Sequence, residues 1–286
     1  HGLPRECVPT EWLRYVEVWE VLLADMPMTA MIRNLGNMSK VGLLAPGSDA
    51  SRKVCRELAD KDKLKKGRVH PVTILMAERT YASGRGLRGS GEWTAVPQVI
   101  DALDDAFYAA FDNVEPTGRR WMLGLDVSGS MRSPVAGTAM SCCEGATALA
   151  LVTAHIEPDY LIGRFNMGYE PCPFSKKTRL DDALAYTRNI NGGGTDCSLP
   201  MIAALQNNLK FDVFVVLTDS ETWVGQIHPV QALRQYRDKT GIPAKLIVVG
   251  MVSNGFTIAD PDDGGTMDVV GFDSNVPALM ADFAKQ

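Results

Sequence analysis

In this chain of 286 residues, five residues with side-chain oxygens stand in three separate motifs and could act as metal ligands. Asp126, Ser128 and Ser130 stand at alternate positions after an apolar run, where a buried strand would become a loop. Thr195 and Asp219 stand at later positions, and Asp219 closes a second apolar run. Mg²⁺ prefers oxygen ligands and keeps several waters, so carboxylates combined with hydroxyls suit it. Because the ends of parallel strands meet at one edge of a sheet, the sequence predicts a site for Mg²⁺ or another divalent cation.

The order of these motifs, Asp-x-Ser-x-Ser, then Gly-Gly-Thr, then Thr-Asp, resembles that of a von Willebrand factor A domain. All five ligand positions of its metal-ion-dependent adhesion site are matched. The resemblance implies a bound divalent cation. An acidic residue of a protein partner would complete the coordination of this cation. Asp196 and Glu221, each close to a predicted ligand, are expected to orient the ligands or their waters. The alternative is a set of polar loop caps that hold no metal.

Longer segments resemble the Ro autoantigen family of TROVE-domain RNA-binding proteins. They comprise residues 26–30, 33–36, 70–71, 84–89, 114–119, 193–201 and 253–263. The family's proteins carry a long helical region before this point, so the resemblance implies the carboxyl-terminal part of such a protein. It also implies binding of small noncoding Y RNAs and of the single-stranded ends of misfolded RNAs, in RNA quality control.

The patterning predicts an α + α/β fold with two domains. Residues 1–118 read as part of an array of HEAT-like helical repeats, with five helices, one of them near residues 52–64. Residues 119–286 alternate short apolar strands with amphipathic helices, which predicts a doubly wound, mostly parallel sheet. Predicted strands are 121–127, 160–165, 213–218, 245–251 and 269–272, with an antiparallel edge hairpin at 167–173. Predicted helices are 138–154, 180–189, 199–208, 229–240 and 276–284.

Composition narrows the class of protein. A hydrophobic content of 45% and a charged content of 22% are ordinary for a globular protein. No apolar run approaches the length of a membrane helix, so no membrane partner is predicted. The six cysteines show no paired metal spacing and no dense disulfide framework. A reducing, intracellular location is therefore expected, in the cytoplasm with the nucleus as a second compartment.

Basic side chains are concentrated in one stretch of an otherwise acidic chain. The net charge is −5, yet residues 52–68 hold eight of the 29 basic residues against three acidic ones. Such a field attracts phosphates. The predicted RNA contacts are Lys53, Arg56, Lys61, Lys63, Lys65, Lys66 and Arg68, together with Arg85 and Arg88 from a glycine-rich loop. The alternative for the stretch is a solvated helix end, and for the loop a plain turn between helices.

The loop that carries Arg85 and Arg88 is followed by Trp93 and preceded by Tyr81. Either aromatic ring could stack on an unpaired base, as single-stranded RNA requires.

The sequence predicts a binding protein and not an enzyme. A metal-dependent adhesion or assembly module without RNA binding is the first alternative, which the negative net charge favours. The second is a metal-assisted hydrolase, for which the sequence offers no evident general base.

Overall fold

The computed structural model describes residues 4–87, 91–135, 137–188, 193–219, 222, 224–253, 255 and 257–286. The chain forms two compact units, one of residues 1–114 with 137–139 and one of residues 115–136 with 140–286. Within the described ranges, every helix is too short or too polar to cross a lipid bilayer.

The first unit is helical, as predicted. Its helices are α1 (Val16–Ala24), α2 (Met28–Lys40), α3 (Asp49–Ala59), α4 (Lys61–Lys66), α5 (Pro71–Ala82) and α6 (Pro97–Ala109), with 3-10 turns at Arg5–Cys7, Thr10–Arg14 and Ala110–Asn113. α6 packs on both α3 and α5, and their facing apolar side chains are excluded from solvent. These include Val54 and Leu58 of α3, Val72 of α5, and Val99 and Leu103 of α6.

The single helix predicted near residues 52–64 is wrong, because the chain forms two helices there. α3 ends at Ala59 and α4 begins at Lys61. Between them Asp60 leaves the helical conformation, and its carboxylate accepts a 3.0 Å hydrogen bond from the backbone N–H of Lys63. Asp is a favoured N-cap residue for this reason, so a local side-chain bond overrides the continuous helical pattern.

The described residues of the second unit form a six-stranded sheet with helices between its strands. Its strands are β1 (Arg120–Asp126), β2 (Asp159–Phe165), β3 (Tyr169–Pro171), β4 (Val213–Thr218), β5 (Lys245–Gly250) and β6 (Thr266–Val270). Its helices are α7 (Cys142–Ile156), α8 (Leu180–Arg188), α9 (Leu199–Gln206), α10 (Pro229–Thr240) and α11 (Val276–Lys285), and a 3-10 turn spans Gly129–Arg132. The α + α/β prediction is confirmed.

The strand order is β3-β2-β1-β4-β5-β6. All neighbouring strands run parallel except β3, which pairs antiparallel with β2 at the edge, as the hairpin prediction required. From β1 the chain builds outward to β2 on one side and later to β4 on the other. The strand order therefore reverses between β1 and β4, which is where open α/β sheets bind ligands.

Both faces of the sheet are covered. On one face, Met122, Phe214 and Val216 pack with side chains of α9 and α10 in a single buried cluster. Successive strand residues alternate between faces, so Leu123 points to the opposite side, where α7 contacts β1, β2 and β4. This double burial explains why the strands are almost continuously apolar.

Two elements of the second unit begin at residues that differ clearly from the predicted ones. The helix predicted from residue 138 begins at Cys142, because Ser141 and Glu144 form a reciprocal capping box at its start. The last strand lies at Thr266–Val270, earlier than the predicted 269–272. The chain then turns at Gly271, whose φ of 106° favours glycine, and Phe272 enters the core.

Candidate functional site

The first of the three predicted metal-binding motifs lies at the carboxyl edge of the sheet, at its topological switch point. Leu125 of β1 pairs with Leu217 of the adjacent parallel strand β4. Asp126 is therefore level with Thr218, and Asp219 follows one residue later. The order of strands in space brings together two carboxylates that are far apart in the sequence.

Asp126 is 1% exposed, and both of its carboxylate oxygens accept hydrogen bonds. The backbone N–H of Ser128 donates to Oδ1 at 2.8 Å, and the hydroxyl of Thr218 donates to Oδ2 at 2.7 Å. The pKa of Asp126 is raised to about 6. Burial is the main cause, the two donors act in the opposite direction, and the charge of Asp219 adds to the increase. The site thus holds a costly concentration of negative charge, which a cation would offset.

The serine hydroxyls of the motif lie together beside Asp126. The Oγ atoms of Ser128 and Ser130 are 3.1 Å apart, with Ser128 buried and Ser130 exposed. This spacing allows two neutral oxygens to face one ion from the same short turn.

Thr195 is buried in a segment without regular secondary structure, just before α9. Its carbonyl accepts hydrogen bonds of 3.1 Å from the backbone N–H of Val224 and from the hydroxyl of Thr222. Burial, and next the charge of Asp126, raise the pKa of the Cys197 thiol, two residues further on. The Thr195 segment therefore lies within electrostatic reach of Asp126.

Close packing of α9 on β1 holds this segment in place. A Cβ atom at Gly124 of β1 would lie 2.6 Å from Cγ of Pro200, in the first turn of α9. Only glycine leaves room for this approach. A larger residue at position 124 would push α9, and the Thr195 segment with it, away from the sheet.

Asp196 and Glu221 were predicted to orient the metal ligands. The Asp196 carboxylate accepts hydrogen bonds from the backbone N–H of Ser198 at 3.0 Å and from its hydroxyl at 2.5 Å. These bonds shape the turn into α9, so Asp196 acts on the position of Thr195 through the backbone. Glu221 lies outside the described residues.

Two residues near the site were missed by the sequence analysis. Thr218 orients Asp126, and only the register of β1 against β4 indicates it. Cys142, at the start of α7, has its thiol pKa raised to about 11 by burial first and then by the charge of Asp219. The amino end of α7 therefore lies near both carboxylates.

The residues present fit a hard divalent cation. The predicted donor set is two carboxylates, of Asp126 and Asp219, with hydroxyls of Ser128, Ser130 and Thr195, and such oxygen donors suit Mg²⁺. Within the ranges that the structure describes, no three His, Cys, Asp or Glu side chains are grouped to hold a metal. The candidate site differs in kind from such a group, because hydroxyls supply more of its donors than carboxylates do.

The predicted RNA-contacting cations of the helical unit fall into two groups. Three of them have partners: Lys53 donates to the carbonyl of Ala24 at 2.9 Å, Lys63 lies 2.6 Å from Glu57, and Lys61 lies 4.0 Å from Asp112. The other four are exposed and make no ion pair with a described residue: Arg56, Lys65, Lys66 and Arg68. This second group is available to an anionic ligand.

The structure is against base stacking by Tyr81, and it leaves the Trp93 ring only partly exposed. Tyr81 is 2% exposed, and its hydroxyl bonds to Ser39 and to the backbone of Val96. The Trp93 ring stacks on Tyr81 and packs against Gly36, where a Cβ atom would lie 2.8 Å from the indole. Both rings are therefore used in packing the helical unit.

Of the two arginines predicted in the following loop, only Arg85 is described. Its backbone pairs with Glu92 in an isolated antiparallel bridge. Arg88 lies outside the described residues.

Comparison with known proteins matches both units to family models. The model described as the Ro60 vWA domain matches residues 120–284, and that of the TROVE domain matches residues 4–82. The RNA-binding protein RO60 of Caenorhabditis elegans is 45% identical over 287 residues, covering 99% of this chain and 44% of that protein. RNA-binding protein RO60 of Deinococcus radiodurans is 43% identical over 288 residues, covering 100% of this chain and 54% of that protein.

A solved structure shows the same fold. The crystal structure of the Deinococcus radiodurans RO (RSR) protein superposes with a TM-score of 0.92 at 43% identity, covering 99% of this chain and 57% of that one. The chain spans about half the length of the curated relatives it matches.

Proposed function

Since this chain belongs to the Ro60 family, we propose that it is a non-enzymatic RNA-binding protein whose A domain docks a protein partner through a divalent cation. The RNAs proposed are small noncoding Y RNAs and the single-stranded ends of misfolded RNAs. The setting is RNA quality control in the cytoplasm, with the nucleus as a second compartment.

The unpaired cations of the helical unit support RNA binding, and they are the observation that carries the proposal. Arg56, Lys65, Lys66 and Arg68 are exposed, and no described carboxylate neutralises them. Phosphate contacts from such side chains release counterions, which favours association and makes it sensitive to salt. A local positive surface can do this even though the whole chain carries a charge of −5.

A groove next to these cations gives an extended ligand a place to lie. It has a volume of about 560 Å³, and three lysines outnumber two acidic residues in its walls. The lining includes Lys53, Lys63, Lys66, Asp25, Glu57, Met28 and Met31. Methionine side chains are polarizable and adapt to irregular shapes, so the groove suits an unpaired base beside a phosphate.

The A domain supplies the second part of the proposal. Asp126 and Asp219 would hold Mg²⁺ by charge, while Ser128, Ser130 and Thr195 would add neutral oxygens. A bound ion supplies a coordination position for a carboxylate of the partner. The protein's own task is to keep Asp126 ionised and oriented, which Thr218 and the backbone N–H of Ser128 do by hydrogen bonding.

The test is a salt titration of RNA binding by the full chain, with Mg²⁺ and with a chelator. The probe is a structured RNA with a single-stranded 3′ tail. We expect submicromolar binding that weakens steeply with salt and does not respond to the chelator, because the cations act without the metal.

Failure to bind this RNA at low salt would favour the other function, a metal-dependent assembly module without RNA binding. The net charge of −5 is the observation behind that alternative. If the chelator abolishes RNA binding, the metal site and not the cations of the helical unit recognises the RNA.

A further inference from the structure

A cleft of about 290 Å³ opens beside the metal motif in the A-domain unit. Ser128 forms part of its wall, so the cleft begins at one of the proposed ligands. Its other polar walls come from Arg132 at the end of the 3-10 turn, Ser141 before α7, and Arg188 at the end of α8. Among the described lining residues there are two arginines and no carboxylate.

Arg188 is fixed at the cleft by its neighbour Glu144. Its guanidinium donates to Oε1 of Glu144, while Oε2 accepts from the backbone N–H of Ser141 at 2.9 Å and from the Ser141 hydroxyl at 3.1 Å. The capping box of α7 therefore holds the glutamate, and the glutamate holds the arginine. An arginine has five N–H donors, so a side chain that is 56% exposed retains donors for a ligand.

The rest of the lining is apolar or only weakly polar. Val127, Met131, Cys143 and Thr187 form it, and all four are almost fully buried. Such walls suit the methylene groups of one side chain that ends in a charged group. The cleft thus combines a short apolar passage with two guanidinium groups.

We propose that this cleft binds a second acidic side chain of the partner whose first carboxylate completes the metal site. The inference rests on the proposed metal-dependent docking, and it names the class of partner as a protein segment with two acidic residues a short distance apart. Arg132 and Arg188 are its specificity-determining residues. Planar guanidinium groups recognise carboxylates in paired hydrogen bonds, which the metal alone cannot do.

A protein segment fits this surface better than RNA does. Asp126 and Asp219 place negative charge next to the cleft, and a strand of RNA carries a phosphate at every nucleotide. A peptide can present two carboxylates to the metal and the arginines and leave its remaining residues neutral.

The experiment pans a library of random peptides against the full chain in Mg²⁺ and elutes with a chelator. We expect the recovered peptides to share two acidic residues at a fixed short spacing. In fluorescence anisotropy, replacing one of them with Gln should abolish the Mg²⁺ dependence, and replacing the other should weaken binding about tenfold. Arg132→Gln and Arg188→Gln should weaken binding by a similar factor, and should have little further effect on the peptide that lacks the second acid.

Arg234→Gln is the matched control, because Arg234 is an exposed arginine, ion-paired with Asp260, in the same unit. It should leave peptide binding unchanged. Mg²⁺-dependent peptides with a single acidic residue, or peptides that bind equally to both cleft variants, overturn the inference and leave the metal docking intact. The absence of any chelator-sensitive peptide overturns the proposed docking itself. Displacement of the peptides by the tailed RNA, in a manner that depends on Arg132, overturns the choice of a protein partner.

Discussion

Asp126 combines two features that are costly for a charged carboxylate. It is buried and it lies near a second carboxylate, and both raise its pKa, which is about 6. Hydrogen bonds from Ser128 and Thr218 use one lone pair on each oxygen, and a carboxylate has about four acceptor positions. The remaining positions are unfavourable to bury without a positive partner, so a cation should stabilise the folded state.

Replacing Asp126 with Ala should remove the stabilisation by Mg²⁺. A ligand that binds only the folded state raises the free energy of unfolding, and the variant lacks the central charge that binds it. We expect the melting temperature of the native chain to rise with Mg²⁺ or Mn²⁺, and that of Asp126→Ala to stay constant.

Asp268→Ala is the control, because Asp268 is an exposed carboxylate on β6, at the edge of the same sheet. It should keep the full response to Mg²⁺. An equal shift in all three proteins would show that the ions act nonspecifically.

Replacing Thr218 with Val should destabilise the protein in the absence of metal. Thr218 is fully buried, and its hydroxyl donates to Asp126, so the variant leaves a buried carboxylate oxygen short of one donor. We expect a loss of about 1.5–3 kcal/mol in the free energy of unfolding, measured in urea, the range for a bond to a charged group. Thr218→Ser keeps the hydroxyl and should recover most of this loss; if Ser and Val lower stability equally, the hydrogen bond is not the cause.

At the scale of elements, the sequence predicts the bounds of a helix or strand well where burial sets them. It predicts them less well where a single side-chain hydrogen bond sets them. The strand at residues 213–218 was predicted with its observed bounds, since it is buried on both faces and apolar throughout. The break at Asp60 and the start of α7 were missed because hydrogen bonds of Asp60, Ser141 and Glu144 decide them. Such caps depend on local conformation that a hydrophobic period does not reveal.

The candidate site follows the same division. Its five proposed ligands come from the order of three motifs in the sequence. The role of Thr218 depends on the register of β1 against β4, strands distant in the chain. The packing partner of Trp93 was not predicted, because Gly36, which leaves the space that the indole fills, is far from it in the sequence.

His70 makes α5 sensitive to acid. Its Nδ1 accepts a 3.1 Å hydrogen bond from the backbone N–H of Val72, which requires a neutral ring, and burial lowers the pKa of His70 from 6.5 to about 4. Between these values the unfolded chain binds a proton that the folded chain does not. The contribution of the neutral His70 to the free energy of unfolding is therefore fully present above pH about 6.5. It declines as the pH falls towards 4, by up to about 3 kcal/mol.

The measurement is urea unfolding as a function of pH, compared with His70→Asn. Asparagine is a favoured N-cap acceptor and does not titrate in this range, so the variant should lose the component of the pH dependence that belongs to His70. Parallel pH profiles for the two proteins would contradict this assignment.

At the scale of the whole molecule, the two units carry charges of opposite sign at their proposed binding sites, so we expect them to bind different classes of ligand. The acidic A-domain site calls for a cation and then an acidic partner, while the unpaired cations of the helical unit call for phosphate. We expect binding at these two sites to respond to different changes in the solution. Chelation should affect the first, and salt should affect the second.

Replacing Lys65, Lys66 and Arg68 with Gln should weaken RNA binding to a similar degree for every RNA sequence and flatten its dependence on salt. The slope of log K against log salt falls by about one for each phosphate that the protein no longer binds, so the triple variant should reduce it by up to about three. Lys63→Gln should change the slope less, because Lys63 is already paired with Glu57.

The control replaces three exposed lysines of the A-domain unit with Gln, which changes the net charge by the same amount. These are Lys177, Lys210 and Lys239. If that control flattens the slope equally, the whole-molecule charge governs binding and the helical surface does not; weakening confined to particular RNA sequences would instead indicate base contacts at these side chains.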